Sequence, residues 1–370
     1  MLTSLDEQSS TIVEETENIK CPSCGSNTKF DPETGGLKCP SCSHEMAIEA
    51  TSKHNVELDF NAAGDSLYHL WQEDKRVFSC DSCGAESVLD ANAIADFCSF
   101  CGSSHIAVTE KDAGIQPGLM IPFHISKDEA HAKFKEWIKG HFFAPSKLKV
   151  SYRLQKISGA YLPYWTYDSE TSSRYVVRVG NYYYVTETRT VYEDGKAKQV
   201  TEQVRKIRWH RESGNYRKFF DDVLIKASTR VEPKLLQKVQ PFQMASLTDY
   251  KVEYMSGFLA ERYSVSLQQG FTEAQDYMKQ RIINGIEGSI AGDIVEVVNV
   301  STDYSDITYK HVLLPLWISS FQFNQKVYQF IVNGQTGKVS GNYPISILKV
   351  VLVSISVLVV LFIVYLFIDS

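Results

Sequence analysis

V-V-L-V-S-I-S-V-L-V-V-L-F-I-V-Y-L-F-I, Val350 to Ile368, is the stretch from which the rest of the chain is read. It contains no charge, no proline and no glycine, and its polar side chains are Ser354, Ser356 and Tyr365. At helical rise these nineteen residues span roughly 28 Å, close to the ~30 Å hydrocarbon core of a bilayer. A buried helix or strand of a soluble domain would need an apolar partner on every side, which a β-branched run this long seldom finds. The composition therefore predicts a transmembrane helix over 347–368. Only Asp369 and Ser370 follow, so the expectation is a tail-anchored protein. Residues 1–19 are acidic and polar (Asp6, Glu7, Glu14, Glu15, Glu17), with neither the basic nor the apolar region of a signal peptide. They read as a disordered leader. Lys349 at the near flank is a weak positive-inside mark. The expected placement is a cell membrane, single-pass, with the N-terminal bulk cytoplasmic.

That placement governs how the cysteines are interpreted. All eight fall into C-x-x-C pairs: Cys21/Cys24, Cys39/Cys42, Cys80/Cys83 and Cys98/Cys101. In a reducing compartment such pairs point to metal rather than disulfides. Fourteen residues separate the pairs in each set, and all four positions recur at an offset of 59, as does Gly25 at Gly84. A C-x-x-C bend turns two thiolates toward one ion, and the glycine after it lets the backbone wrap the sulfur. Two bends joined by a hairpin-length spacer make a tetrahedral four-thiolate Zn²⁺ site. The reading is two zinc ribbons, 20–47 and 79–106, holding two Zn²⁺ ions, in preference to redox pairs or iron–sulfur clusters. Four thiolates leave no open position for a catalytic metal.

Charge indicates what the ribbons would touch. Through Glu110 the chain carries 6 Lys+Arg against 19 Asp+Glu, a balance of −13, leaving +7 for the remainder. Nucleic-acid affinity rests on neutralising phosphates. The first spacer offers only Lys29 and Lys38, opposed by Asp31 and Glu33, and the second has no basic residue. A protein partner is therefore expected ahead of nucleic acid. Between the ribbons, 48–78 reads as a linker with a short helix at Asp65–Trp71.

Residues 115–343 read as a β-rich α+β domain. Ser126 and Glu129 form a capping box for a helix carrying Ala130, Phe134, Trp137 and Ile138 on one face, with Gly140 as its stop. Strands are predicted at 157–168, 174–179 and 182–192. An Asp194-Gly195 turn then leads to a hairpin partner at 199–210. Helices follow at 233–239 and 268–286, and strands at 294–301, 309–319 and 326–332. L-P-Y-W at 162–165 echoes L-P-L-W at 314–317, suggesting internal duplication with both tryptophans in the core. G-Q-T-G-K at 334–338 lacks the first glycine and the Ser/Thr of a phosphate loop, and reads as a hairpin turn. The basic stretch 204–218 contains Arg205, Lys206, Arg208, Arg211, Arg217 and Lys218 around Trp209. Its plain reading is a solvated strand face; its functional reading is contact with anionic lipid headgroups of the bilayer.

Together, C-P-S-C-G with K-F-D-P-E-T-G-G-L-K-C-P-S-C, A-D-F-C-S-F-C-G, I-P-F-H-I-S-K-D-E-A, G-A-Y-L-P-Y-W, M-S-G-F-L-A-E-R-Y and L-L-P-L-W with V-N-G-Q-T-G-K-V carry a resemblance. The chain resembles the bacterial TFIIB-type zinc-ribbon-containing proteins from Cys21 to Pro344. The resemblance implies no catalytic residues. For members with a C-terminal anchor it implies an adaptor role beside phage-shock-protein-A-like or SPFH-like partners in envelope stress. The fold expected is α+β: two tandem four-cysteine zinc ribbons, a larger β-rich α+β domain, and one C-terminal transmembrane helix. The function expected is a non-enzymatic membrane adaptor, with a membrane-tethered nucleic-acid binder as the alternative.

Overall fold

The computed structural model describes residues 19–49, 57–64, 75–90, 98, 100, 101, 103, 106–109, 115–145, 157–193, 196–323 and 326–368. Residues 1–18 of the leader, the helix expected at Asp65–Trp71 and the Asp194-Gly195 turn lie outside these residues.

The described residues open with three short strands, β1 (Lys29–Asp31), β2 (Gly36–Lys38) and β3 (Glu45–Met46), which form a small antiparallel sheet. Next come β4 (Leu58–Asp59), β5 (Lys75–Cys80), β6 (Glu86–Asp90), β7 (Ile106–Thr109), β8 (Leu119–Met120) and helix α1 (Lys127–Gly140). Two very long strands follow, β9 (Ser158–Glu193) and β10 (Lys196–Lys226), then α2 (Pro233–Val239), β11 (Thr248–Asp249), α3 (Val252–Met255), β12 (Leu259–Glu261) and α4 (Leu267–Ser289). The chain closes with β13 (Ile294–Phe323), β14 (Lys326–Asn333), β15 (Val339–Gly341) and α5 (Ile347–Ile368). The layout is α+β, with two four-cysteine groups near the start, one large β-rich domain and one apolar helix at the end.

Among the described residues, twelve strands form a single sheet, in the order β11-β8-β13-β9-β12-β6-β5-β7 with β4, β10, β14 and β15 attached. The three strands predicted between 157 and 192 are one, and the two predicted between 294 and 319 are also one. The Ser/Thr-rich stretch Ser169–Ser173, which reads as a break, stays in the strand because its inward hydroxyls find partners. Thr171 Oγ1 donates to the carbonyl of Lys218 (2.6 Å), Ser169 Oγ to that of Ser305 (3.2 Å), and Ser173 Oγ bonds Thr302 Oγ1 (2.8 Å).

Strand periodicity sets two buried faces. Tyr161, Leu313 and Trp317 enter a cluster with Phe123, Phe134 and Phe258, whereas Leu162, Leu314 and Leu316 enter another with Ile121, Leu236 and Ile331. Leu162 stands directly opposite Leu314, so the two L-P-x-W motifs run antiparallel past each other. Trp165 and Trp317 are both buried, with their indole N–H groups donating to the carbonyls of Val265 and Ile125. Beyond this centre, β10, β9 and β13 continue as a three-stranded ribbon, with α4 packed along it through Phe271, Ala274, Met278, Ile282 and Ile286. The capping box of α1 forms as the sequence predicts, and 334–338 is the turn joining β14 to β15.

Candidate metal centres and their supports

The first four-cysteine group sits on two knuckles. Gly25 N–H donates to the Cys21 carbonyl (2.9 Å) with Gly25 at φ +74°, and Ser43 N–H donates to the Cys39 carbonyl (2.8 Å) with Ser43 at φ +60°. The second group repeats this at Gly84, whose φ is +68° and whose N–H donates to the Cys80 carbonyl (2.7 Å). A left-handed residue after the second cysteine is what turns both sulfurs inward, and glycine adopts it without a Cβ penalty. Cys21, Cys24, Cys39 and Cys42 bring their Sγ atoms within 4.8 Å of one another, as do Cys80, Cys83, Cys98 and Cys101.

The sulfur spacing tests the fit. Cys21–Cys42 and Cys24–Cys39 are 3.5 Å apart, and Cys80–Cys101 and Cys83–Cys98 are 3.6 Å apart. A disulfide needs about 2.05 Å, whereas four thiolates at about 2.3 Å from a tetrahedral centre sit roughly 3.8 Å from each other. Each group can therefore hold a metal ion and is compatible with zinc. The thiols within a group are not equivalent. Ser26, through its backbone and hydroxyl, holds Cys24 down to about 6, and a hydrogen bond from Cys98 holds Cys83 down to about 5.

The groups are supported differently. In the first, Phe30 and Leu37 bury their side chains among Phe123, Phe258 and Trp317. Phe30 N–H donates to the carbonyl of Ser256 (3.0 Å), and Ser256 Oγ donates to that of Thr28 (2.7 Å). Cys24, Cys42 and the knuckle residues Pro22, Ser23, Pro40 and Ser41 face solvent. Lys38 is taken up by Glu45 (3.2 Å) and Asp31 (3.7 Å). The second group is woven into the main sheet: β6 pairs with β12 at Val88↔Ala260 and Ser87↔Glu261, and β5 pairs with both β6 and β7. Arg230 Nη1 donates to the carbonyl of Cys83 (2.8 Å), and Gln329 Nε2 to that of Phe100 (3.1 Å). Cys83 and Cys101 are half-buried here.

The six basic residues of 204–218 do not share one surface. The β9–β10 register is unbroken from Lys196 to Phe220, so Arg205, Arg211 and Arg217 fall on one side of the ribbon and Lys206, Arg208 and Lys218 on the other. Arg205 lies over the Tyr182 ring (4.3 Å), Arg208 over Tyr183 (5.2 Å) and Lys218 over Phe220 (5.1 Å), while Lys206 pairs with Glu187 (2.5 Å).

Three buried polar groups escaped the sequence reading. Lys310, 5 % exposed, lies among Asp222 (2.9 Å), Glu57 (3.2 Å) and Asp168 (3.7 Å), where β10 and β13 both bulge against β9. Burial pushes the Glu261 carboxyl up to about 8, against donation from Ser228 Oγ (2.7 Å) and the nearby Arg230 and Lys226. Burial also pushes the His311 imidazole down to about 4, where it lies between Trp165 and Tyr263. These residues come from strands far apart in the chain, so no local spacing could have announced them.

No family model matches the chain, and no solved structure matches it. It is 31 % identical over 338 residues to the uncharacterized protein YdjG of Bacillus subtilis (strain 168), covering 88 % of this chain and 90 % of that one. Identity at this level over nearly the full length of both chains means that this protein belongs to the family of B. subtilis YdjG.

Proposed function

We propose that the chain is a non-enzymatic, tail-anchored membrane adaptor that holds one Zn²⁺ in each four-cysteine group and presents the first ribbon to a cytoplasmic protein partner. The observation carrying this reading is the division of labour within that ribbon. Its hairpin side chains, Phe30 and Leu37, are committed to the main domain, while both knuckles remain open to solvent. A metal cross-link makes the open surface rigid, so docking there costs little ordering entropy. The knuckles Pro22–Gly25 and Pro40–His44 offer no Lys or Arg, which favours a protein over a polyanion. Helix α5, 22 residues long and apolar enough to cross a membrane, supplies the anchor. The resemblance to tail-anchored zinc-ribbon proteins suggests phage-shock-protein-A-like or SPFH-like partners as the first to try.

The test is affinity purification of the full chain from nuclease-treated native membranes, beside a Ser23→Arg/Ser41→Arg variant that leaves all eight cysteines in place. A protein that co-purifies with the parent, is lost from the variant and is not restored by adding salt supports the docking surface, provided the variant keeps two zinc ions per chain. Equal recovery from both would reduce the ribbon to a structural role. Nuclease-sensitive, salt-dependent retention of DNA or RNA would favour the nucleic-acid alternative.

A further inference from the structure

The segment just after α1 leaves two adjacent phenylalanines in the open: Phe142 is 62 % exposed and Phe143 37 %, with rings 5.3 Å apart and nearly perpendicular. The foot of α5 is tied to the same segment. Ser346 N–H donates to the Phe143 carbonyl (2.8 Å), and Lys349 Nζ donates to the carbonyls of Phe142 (3.0 Å) and Ala144 (2.7 Å). Lys349 Nζ also lies 5.7 Å from the Phe142 ring centroid. Behind these, Trp137, His141 and Tyr343 form a ring cluster, with centroids 4.3–5.9 Å apart.

These bonds fix depth. A lysine at the end of a membrane helix sits at the headgroup level, and Lys349 cannot reach two carbonyls of 142–144 unless that segment lies at the same level. The 22 residues of α5 span about 33 Å, so little of the helix is left over to lift Ile347 clear of a ~30 Å core. Ile345, Ile347 and Leu348 are exposed beside the phenylalanines, which makes the apolar patch continuous with the anchor. Tryptophan and tyrosine behind a phenylalanine tip match the aromatic composition of an interfacial belt.

We propose that Phe142 and Phe143 insert into the bilayer interface beside the anchor, forming a second membrane contact that seats the β-rich domain on the leaflet. The occupant of this patch is lipid, at the boundary between headgroups and acyl chains. The inference rests on α5 spanning a membrane. Two points of contact stop the domain swinging about a single helix, so the first ribbon is held at a set height and orientation.

Full-length protein carrying the photo-crosslinker p-benzoylphenylalanine at Phe142 would be reconstituted in liposomes of phosphatidylcholine and phosphatidylglycerol and irradiated. Controls carry it at Leu352, inside α5, and at Tyr192, near the far end of the β9–β10 ribbon. Mass spectrometry would read the adducts. The expected lipid-adduct yield at 142 is within about three-fold of that at 352 and at least about ten-fold above that at 192. Lipid adducts at 352 without any at 142 would overturn the interfacial contact and leave the anchor standing. Adducts at 142 to polypeptide would also overturn it, assigning the patch to a protein neighbour. Absence of lipid adducts at both 142 and 352 would remove the anchor and this inference with it.

Discussion

His311 Nδ1 donates to the carbonyl of Ile115 (2.8 Å), and its ring is fully buried against Trp165 and Tyr263, so the folded protein holds the imidazole neutral. Its folded-state value, about 4, lies below the ordinary 6.5. The unfolded chain therefore takes up a proton that the folded chain refuses. Stability is intact above pH 6.5 and is lost as pH falls toward 4, by roughly 3 kcal/mol for this group. His311→Phe keeps the ring packing and strands the Ile115 carbonyl at a cost of about 1 kcal/mol. Its stability relative to the parent is expected to improve steadily between pH 7 and 4.5, read by urea unfolding at each pH. A difference that does not change with pH would mean the imidazole takes up its proton in the fold as readily as in the unfolded chain. At this scale the cysteines were legible because their chemistry is local: two sulfurs three apart, then a left-handed residue. His311, Lys310 and Asp168 were not, because each acquires its character from strands that meet only in the folded sheet.

Helix α4 shows what one element demands of single positions. A Cβ on Gly270 would run into the Tyr167 hydroxyl and the Trp165 ring, both buried, and the Tyr167 hydroxyl is itself committed to the Leu267 carbonyl (2.6 Å). Gly288, about five turns further on, faces open space. Gly288→Ala is expected to stabilise by about 0.5–1 kcal/mol through helix propensity alone. Gly270→Ala gains the same propensity and loses more to overpacking, for a net cost of about 1–3 kcal/mol. Denaturant midpoints of the two variants should move in opposite directions, and the same direction for both would mean α4 does not lie this close to β9. The helix was read at 268–286, and in the fold it runs Leu267–Ser289 behind a Ser266 capping box that the sequence reading did not pick out. In β9 one predicted break falls at Ser169–Ser173, which interrupts the apolar alternation, and only the pairing on both sides, which satisfies those hydroxyls, carries the strand through.

For the molecule as a whole, the two metal groups are unequal in what depends on them. The first belongs to a separate three-stranded sheet held by Phe30, Leu37 and a few hydrogen bonds, whereas the strands of the second are part of the twelve-stranded sheet. Metal binding free energy becomes folding free energy for whatever unit the ligands close, and units open independently when few contacts join them. Cys24→Ser should therefore unfold residues 20–48 first, with hydrogen exchange rising there, and lower the main melting transition by less than a substitution in the second group does. Cys83→Ser should also loosen β5, β6 and β12, lowering the stability of the main transition by about 3 kcal/mol or more. Chelator release should follow the same order. Cys24 and Cys42 are exposed while Cys83 and Cys101 are half-buried, so one equivalent of metal should leave quickly without loss of the main transition and the second only with it. A colorimetric metal indicator followed beside circular dichroism would separate the phases. Simultaneous release of both equivalents, or equal damage from the two substitutions, would mean that the first ribbon is as integral to the core as the second. It could not then serve as an independent surface held out to a partner.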